Sequence, residues 1–322
     1  MQAYARKAMS SMRYGIASGL LWGLDTVILG LALLCAPFVD TAQALIIASL
    51  AAAFLHDAFC ALWLCIYMGV KGRMHETRAA FKTKSGRAVM LAALLGGPLG
   101  MSGYLIAIDN IGPAYTAIVS AFYPAVGAVL AVIFLKERMS LVQVLALMCA
   151  LAAIMVLGVH SVEGGQIKNA ILGFAGALVC VFGWGSEAVL CAWGMRDEAV
   201  DNEVALHLRE CVSALVYGCV LIPLVSGQDF VLRAIPEQSN LIIGLAAFAG
   251  VASYLFYYKG IARVGAACAM ALNISYSAWA IIFSLLILRT VPSPLEIVCC
   301  VVILLGTIFA ATNWKELRAK VS

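Results

Sequence analysis

Trp22-Gly23-Leu24-Asp25-Thr26-Val27 and Trp184-Gly185-Ser186-Glu187-Ala188-Val189 are two copies of one pattern, 162 residues apart. Each copy lies in the middle of a long apolar run. In each, an acid follows a tryptophan by three residues, so on a helix the carboxylate and the ring share a face. A second match pairs Tyr104-Leu105-Ile106-Ala107-Ile108-Asp109-Asn110-Ile111-Gly112 with Tyr257-Tyr258-Lys259-Gly260-Ile261-Ala262-Arg263-Val264-Gly265, at an offset of 153. Carried onward, that offset pairs Tyr123 with Tyr276 and Ser140 with Ser293. The change of offset requires nine fewer residues in the second half. The long polar stretch from Lys71 to Arg87 is the simplest place to lose them.

The runs around these motifs are too apolar for a soluble domain. Of the 322 residues, 64% are hydrophobic and 12% charged, and the mean hydropathy is +0.99. Soluble domains carry about 25% charged residues. A membrane-crossing helix needs about 20 mostly apolar residues. Ten such stretches are read, at 14–35, 42–69, 88–108, 113–135, 140–159, 169–194, 203–226, 239–258, 266–288 and 294–313. A β-barrel would instead show strands of about ten residues with alternating polarity. The expected fold is an all-α membrane protein of ten transmembrane helices, with halves at 1–165 and 166–322. Five crossings per half is an odd number, so the second half enters the membrane from the opposite side. That makes two inverted five-helix repeats, a build suited to a site exposed alternately on either side.

Basic residues orient the chain. With the N-terminus inside, the cytoplasmic loops hold Arg6, Lys7, Arg13, Lys71, Arg73, Arg78, Lys82, Lys84, Arg87, Lys136, Arg138, Arg196, Lys259, Arg263, Lys315, Arg318 and Lys320. The other side holds Lys168, Arg233 and Arg289. The formal charge of +4 therefore reflects topology, with no clustered basic face for nucleic acid. The expected setting is a bacterial inner membrane, both termini cytoplasmic, the chain a monomer. The first apolar run exceeds a usual signal-peptide core of about 7–15 residues.

The ten short helices in two repeats resemble the drug/metabolite transporter superfamily in its EamA-domain form. Gly112–Gly158 is similar to the end of an EamA repeat. Tyr123-Pro124-Ala125 leads there to Phe134-Leu135-Lys136-Glu137-Arg138, close to the family's "FLxE" turn. The second copy departs from it, with Leu286-Ile287-Leu288-Arg289-Thr290 and no acid. Two further stretches, Gly19–Thr26 and Gly96-Gly97-Pro98-Leu99-Gly100-Met101-Ser102-Gly103-Tyr104, are similar to the bacterial choline permease branch. The resemblance implies a secondary transporter that moves choline or a related quaternary amine. Its alternative within the superfamily is an exporter of amino acids or other small metabolites.

The residues themselves support a cationic substrate. Asp25 and Glu187 fall at equivalent repeat positions, on opposite walls of one cavity. Trp22, Trp184, Tyr104, Tyr123, Tyr257 and Tyr276 supply rings, with Tyr115, Tyr254 and Trp279 as further candidates. A quaternary ammonium has no N–H to donate, so aromatic faces and diffuse negative charge suit it, at about 0.5–2 kcal/mol per ring. The competing reading places tyrosines in interfacial belts and the acids in protonated contacts between helices. A zwitterion would also need a cation at the cavity, and Arg209 is the only intramembrane candidate. His56-Asp57, His207, Arg209 and Glu210 have a local reading, with Arg209 on Glu210 or a neighbouring helix and His56 on a backbone carbonyl. Their alternative role is a proton path or gate. Asp109 and Asn110 are expected in a solvated loop.

No enzyme or cofactor motif stands up. Gly100-Met101-Ser102-Gly103 matches a short serine-protease pattern, yet no later histidine sits in a convincing context. His75-Glu76 lacks the second histidine of HExxH, no CxxC pair occurs, and no Walker motif is present. Expected partners are a small cationic molecule and the lipid bilayer.

Overall fold

The computed structural model describes residues 2–39, 45–160, 168–196 and 200–312. Continuous apolar runs of about 20 residues or more give helices, and among the described residues there are no strands. Among the described residues, nine helical stretches are long and apolar enough to cross a bilayer, and the shorter apolar Tyr123–Leu135 accompanies them. The expected ten are thus nine of full length, and the stretch expected at 113–135 is represented by that shorter helix.

In the first half, α1 spans Gln2–Leu33, α2 Leu45–Val70, α3 Met74–Ala80, α4 Lys84–Leu94, α5 Gly100–Ser120, α6 Tyr123–Leu130 and α7 Leu141–His160. In the second, α8 spans Ala170–Gly194, α9 Asn202–Val216, α10 Ile222–Leu224, α11 Gln228–Ala234, α12 Gln238–Val264, α13 Ala266–Asn273, α14 Tyr276–Phe283 and α15 Pro294–Ala311. The expected boundary near 108–113 is absent, because α5 continues to Ser120 and the chain breaks at Ala121-Phe122. Asn110 is thus helical, its side-chain amide donating to the Ile106 carbonyl (2.8 Å). The side chain of Asp109 and the boundary at 165/166 lie outside the described residues.

The repeat is visible atom by atom. At an offset of 153, the π-helical turn Ala131–Leu135 matches Ser284–Leu288. Each is followed by a basic residue with left-handed backbone, Lys136 (φ 58°) and Arg289 (φ 61°). Each next helix starts with a reciprocal cap. Ser140 and Gln143 exchange bonds at α7 (2.8 and 3.4 Å), as Ser293 and Glu296 do at α15 (2.6 and 3.3 Å). Glu137, the acid of the first-copy turn, accepts from the backbone N–H groups of Ala266 and Ala267 (2.8 and 3.1 Å) and so caps α13.

The two halves pack reciprocally. α1 runs against α12 and α14, and α8 against α5 and α6. A Cβ added to Gly23 would lie 2.9 Å from the Tyr276 carbonyl oxygen, and one added to Gly185 2.9 Å from the Tyr123 carbonyl oxygen. Both glycines let helices from opposite halves touch backbone to backbone, and Gly23 and Gly185 are themselves repeat equivalents.

The nine-residue contraction is not in the Lys71–Arg87 stretch, contrary to expectation. α3 and α11 are equal in length and offset by 154, and so are the starts of α4 and α12. The contraction therefore falls before the middle of α2. The stretch looks long because α3 and its flanks are charged, whereas α11 carries Phe230, Val231 and Leu232.

Candidate functional site

At the crossing of the two halves lies a cavity of about 470 Å³. All eight residues expected at a site line it: Trp22, Asp25, Tyr104, Tyr123, Trp184, Glu187, Tyr257 and Tyr276. Tyr254 also lines it, whereas Tyr115 and Trp279 are not among the lining residues. At one end the lining includes Leu29, Leu33 and Ser49, where α1 finishes and α2 begins, and Leu33 is 41% exposed there.

The rings form two groups, one around Trp184 and one joining Trp22 to Tyr254, Tyr258 and Tyr257. Trp184 stands edge-on to Tyr123 (centroids 5.7 Å, 90°) and tilted against Tyr104 (5.5 Å). Trp22 is edge-on to Tyr254 (4.8 Å). Trp184 is oriented by its Nε1, which donates to the Gly96 carbonyl (2.9 Å) in the π-helical turn Leu95–Leu99 that holds Pro98. The Tyr123 hydroxyl donates to Asn273 Oδ1 (3.2 Å).

Neither acid stands alone. Asp25 Oδ1 meets His56 Nε2 at 3.1 Å, and Glu187 Oε1 accepts from Arg209 Nε at 2.8 Å. His56 is thus bound by a carboxylate from α1, not by a backbone carbonyl. Arg209 is also held by Glu210 (Nη1 to Oε1, 2.7 Å), and its guanidinium lies 5.1 Å from the Tyr254 ring centroid. Asp57 sits between the two bases, 3.6 Å from His56 and 3.8 Å from Arg209, and accepts from Ser213 Oγ (2.6 Å). Asp25, His56, Arg209 and Glu210 are all buried. Four carboxylates thus share one permanent cation and one histidine. Buried charges need such pairing, and the acids outnumber the bases four to two.

Spans two and seven also wall the cavity, through His56, Asp57 and Arg209. Their signal was legible: His56-Asp57 and Arg209-Glu210 are themselves 153 apart. The two ion pairs, Asp25–His56 and Glu187–Arg209, are repeat copies of each other. Arg209 also lines the cavity, the position asked of a cation that would serve a zwitterion.

A second ionic cluster closes the far end of α2 onto the start of α9. Glu203 accepts from Tyr67 Oη (2.8 Å) and from Lys71 Nζ (2.7 and 2.8 Å), and it also pairs with Arg73. Arg73 reaches Asp201 (2.6 Å) and Glu76 (2.6 Å) as well. The Arg73 guanidinium holds the Glu76 carboxyl below its ordinary range. Burial pushes Asp201 up, but the Val204 N–H and Arg73 outweigh it and bring the group below its ordinary value. The equivalent turn in the second half, Val225-Ser226-Gly227, carries no charge.

The model of the EamA-like transporter family matches residues 9–159 and again 171–312. Protein LicB of Haemophilus influenzae is 30% identical over 218 residues, covering 68% of this chain and 73% of that protein. A solved structure described only as the crystal structure of a protein superposes with a TM-score of 0.66. It covers 97% of this chain and 99% of its own at 18% identity, a likeness of fold.

Proposed function

The chain belongs to the EamA-like transporter family, and from that premise we propose that its central cavity carries a small organic cation, choline or a related quaternary amine. The observation behind this reading is a set of acids in and beside a ring-lined cavity: Asp25, Asp57 and Glu187 line it with His56 and Arg209, and Glu210 lies behind Arg209. Four carboxylates face one permanent cation, so a guest bearing positive charge relieves the site, and an anion worsens it. Rings from both halves, Trp22, Tyr104, Tyr123, Trp184 and Tyr254, offer faces to a cation without N–H groups. The similarity of Gly19–Thr26 and Gly96–Tyr104 to the choline permease branch leads to the same substrate.

Transport follows by alternating access. The halves 1–165 and 166–322 exchange conformations about the axis relating Asp25 to Glu187. In a bacterial inner membrane with cytoplasmic termini, the Leu33 end of the cavity faces outward. The Lys71–Arg73–Asp201–Glu203 cluster then seals the cytoplasmic end. The membrane potential supplies about 2.3 kcal/mol per charge per 100 mV for cation entry.

A zwitterionic substrate is the second reading, and the position of Arg209 favours it. Its Nε and Nη1 are engaged by Glu187 and Glu210, which leaves the surplus acidic and the organic cation ahead. Labelled choline uptake into proteoliposomes under a negative-inside potential separates the two. Saturable uptake that falls in Glu187→Gln and Asp25→Asn supports the cation. Amino-acid flux without choline flux supports the zwitterion.

A further inference from the structure

Cys65, His207 and Cys211 lie outside the lining of the central cavity, and each brings one ligand atom to within 4.8 Å of the other two. His207 and Cys211 are four residues apart on α9 and share a face. Cys65 comes from α2, close to its Lys71 end. His207 is 2% exposed, with Nε2 3.2 Å from Cys65 Sγ and Nδ1 2.9 Å from the Thr77 hydroxyl on α3. That arrangement fixes the ring and directs Nε2 at the two sulfurs. Metal-binding histidines carry this kind of second partner on the other nitrogen.

We infer that Cys65, His207 and Cys211 form a binding site for a soft divalent cation, Zn²⁺ fitting best. Zn–S bonds of about 2.3 Å and Zn–N bonds of about 2.0 Å at tetrahedral angles put sulfur and nitrogen roughly 3.5 Å apart and two sulfurs roughly 3.8 Å apart. The observed cluster needs only small side-chain adjustments to reach those spacings. Two sulfurs and an imidazole select Zn²⁺ over Mg²⁺ or Ca²⁺, which prefer oxygen. Each thiol releases its proton to solvent as its metal–sulfur bond forms. The fourth position is left to water or a small ligand. The ligands join α2 to α9, with Thr77 on α3 behind them, so a bound ion ties together the same end that the Glu203 cluster holds. The inference does not depend on what the central cavity carries.

The test is Co²⁺ titration of the reduced protein in lipid nanodiscs. One equivalent should give a thiolate-to-cobalt charge-transfer band and tetrahedral visible bands, and Zn²⁺ should displace it. Cys65→Ser and Cys211→Ser should each weaken binding by at least tenfold, Thr77→Val by about tenfold, and Cys149→Ser not at all. Wild-type protein gives an independent reading should a variant fail to fold. Zn²⁺ should protect Cys65 and Cys211 from alkylation, scored by peptide mass spectrometry, while Cys35, beyond the end of α1 and outside the cluster, labels as before. No thiolate band, undiminished binding in the Cys65→Ser/Cys211→Ser double variant, or labelling of Cys65 and Cys211 unchanged by Zn²⁺ would overturn the site.

Discussion

Replacing Arg209 by Gln removes the one permanent cation of the central network. Arg209 is 4% exposed, and Glu210, its 2.7 Å partner, is 0% exposed. The second carboxylate oxygen of Glu210 already has no hydrogen-bond partner. Losing the guanidinium strands this acid and leaves Glu187 without its partner, while Asp57 keeps His56 and Ser213. Breaking a buried pair from one side costs about 3–5 kcal/mol. Glu187→Gln is milder, because Arg209 keeps Glu210 and the new amide oxygen still accepts from Nε. Its cost should be about 1–2 kcal/mol. The double variant removes one charge of each sign, so its cost should fall short of the sum by about 0.5–3 kcal/mol. Denaturant unfolding of the four proteins in mixed micelles measures this cycle. Glu187→Gln as destabilising as Arg209→Gln, or strictly additive costs, would refute an acid-rich network held by Arg209.

Three further predictions test other parts of the account. Gly96→Ala places a Cβ on the Glu187 carboxylate, so it should reduce cation affinity at least tenfold in an equilibrium binding assay, with the Trp184–Gly96 bond disturbed as well. Glu203→Gln weakens the cluster that joins α2 to α9. Hydrogen exchange over residues 71–78 should rise while cation affinity stays within about twofold, a difference under 0.5 kcal/mol. Glu76 and Asp201 have folded pKa values below their ordinary ones, so their contribution is complete above the ordinary carboxylate value. It is lost as pH falls through the lower folded values. Protection factors at 73–78, which divide out the intrinsic pH dependence of amide exchange, should therefore fall as pH is taken below about 4, and stay flat between neutral pH and about 5.

Much of the fold was legible because membrane helices announce themselves by length and the repeat by rare residues. Trp22 with Asp25 and Trp184 with Glu187 fixed the pseudo-symmetry, and Gly23 and Gly185 meet the carbonyls it pairs, those of Tyr276 and Tyr123. The continuation of α5 through Pro113 was not legible, since a proline inside an apolar run reads as a boundary. Neither was the place of the nine-residue contraction, because α3 and α11 share a length but not a polarity. At the cavity, rings and acids could be named from the repeat alone. Their partners could not, because His56 and Arg209 reach Asp25 and Glu187 only through packing between helices distant in sequence. The 153-residue spacing of His56-Asp57 and Arg209-Glu210 was the overlooked sign that they belong to the same site.

The central claim is that the cavity is built for positive charge on an apolar body. Equilibrium binding of choline should be compared with that of dimethylbutanol, in which carbon replaces the ammonium nitrogen and the shape is kept. Ring contacts of about 0.5–2 kcal/mol each, added to the unbalanced carboxylates, should favour choline by at least tenfold. That preference should shrink in Asp25→Asn and Glu187→Gln. Equal binding of the two by wild-type protein, or a preference untouched by either substitution, would contradict the account.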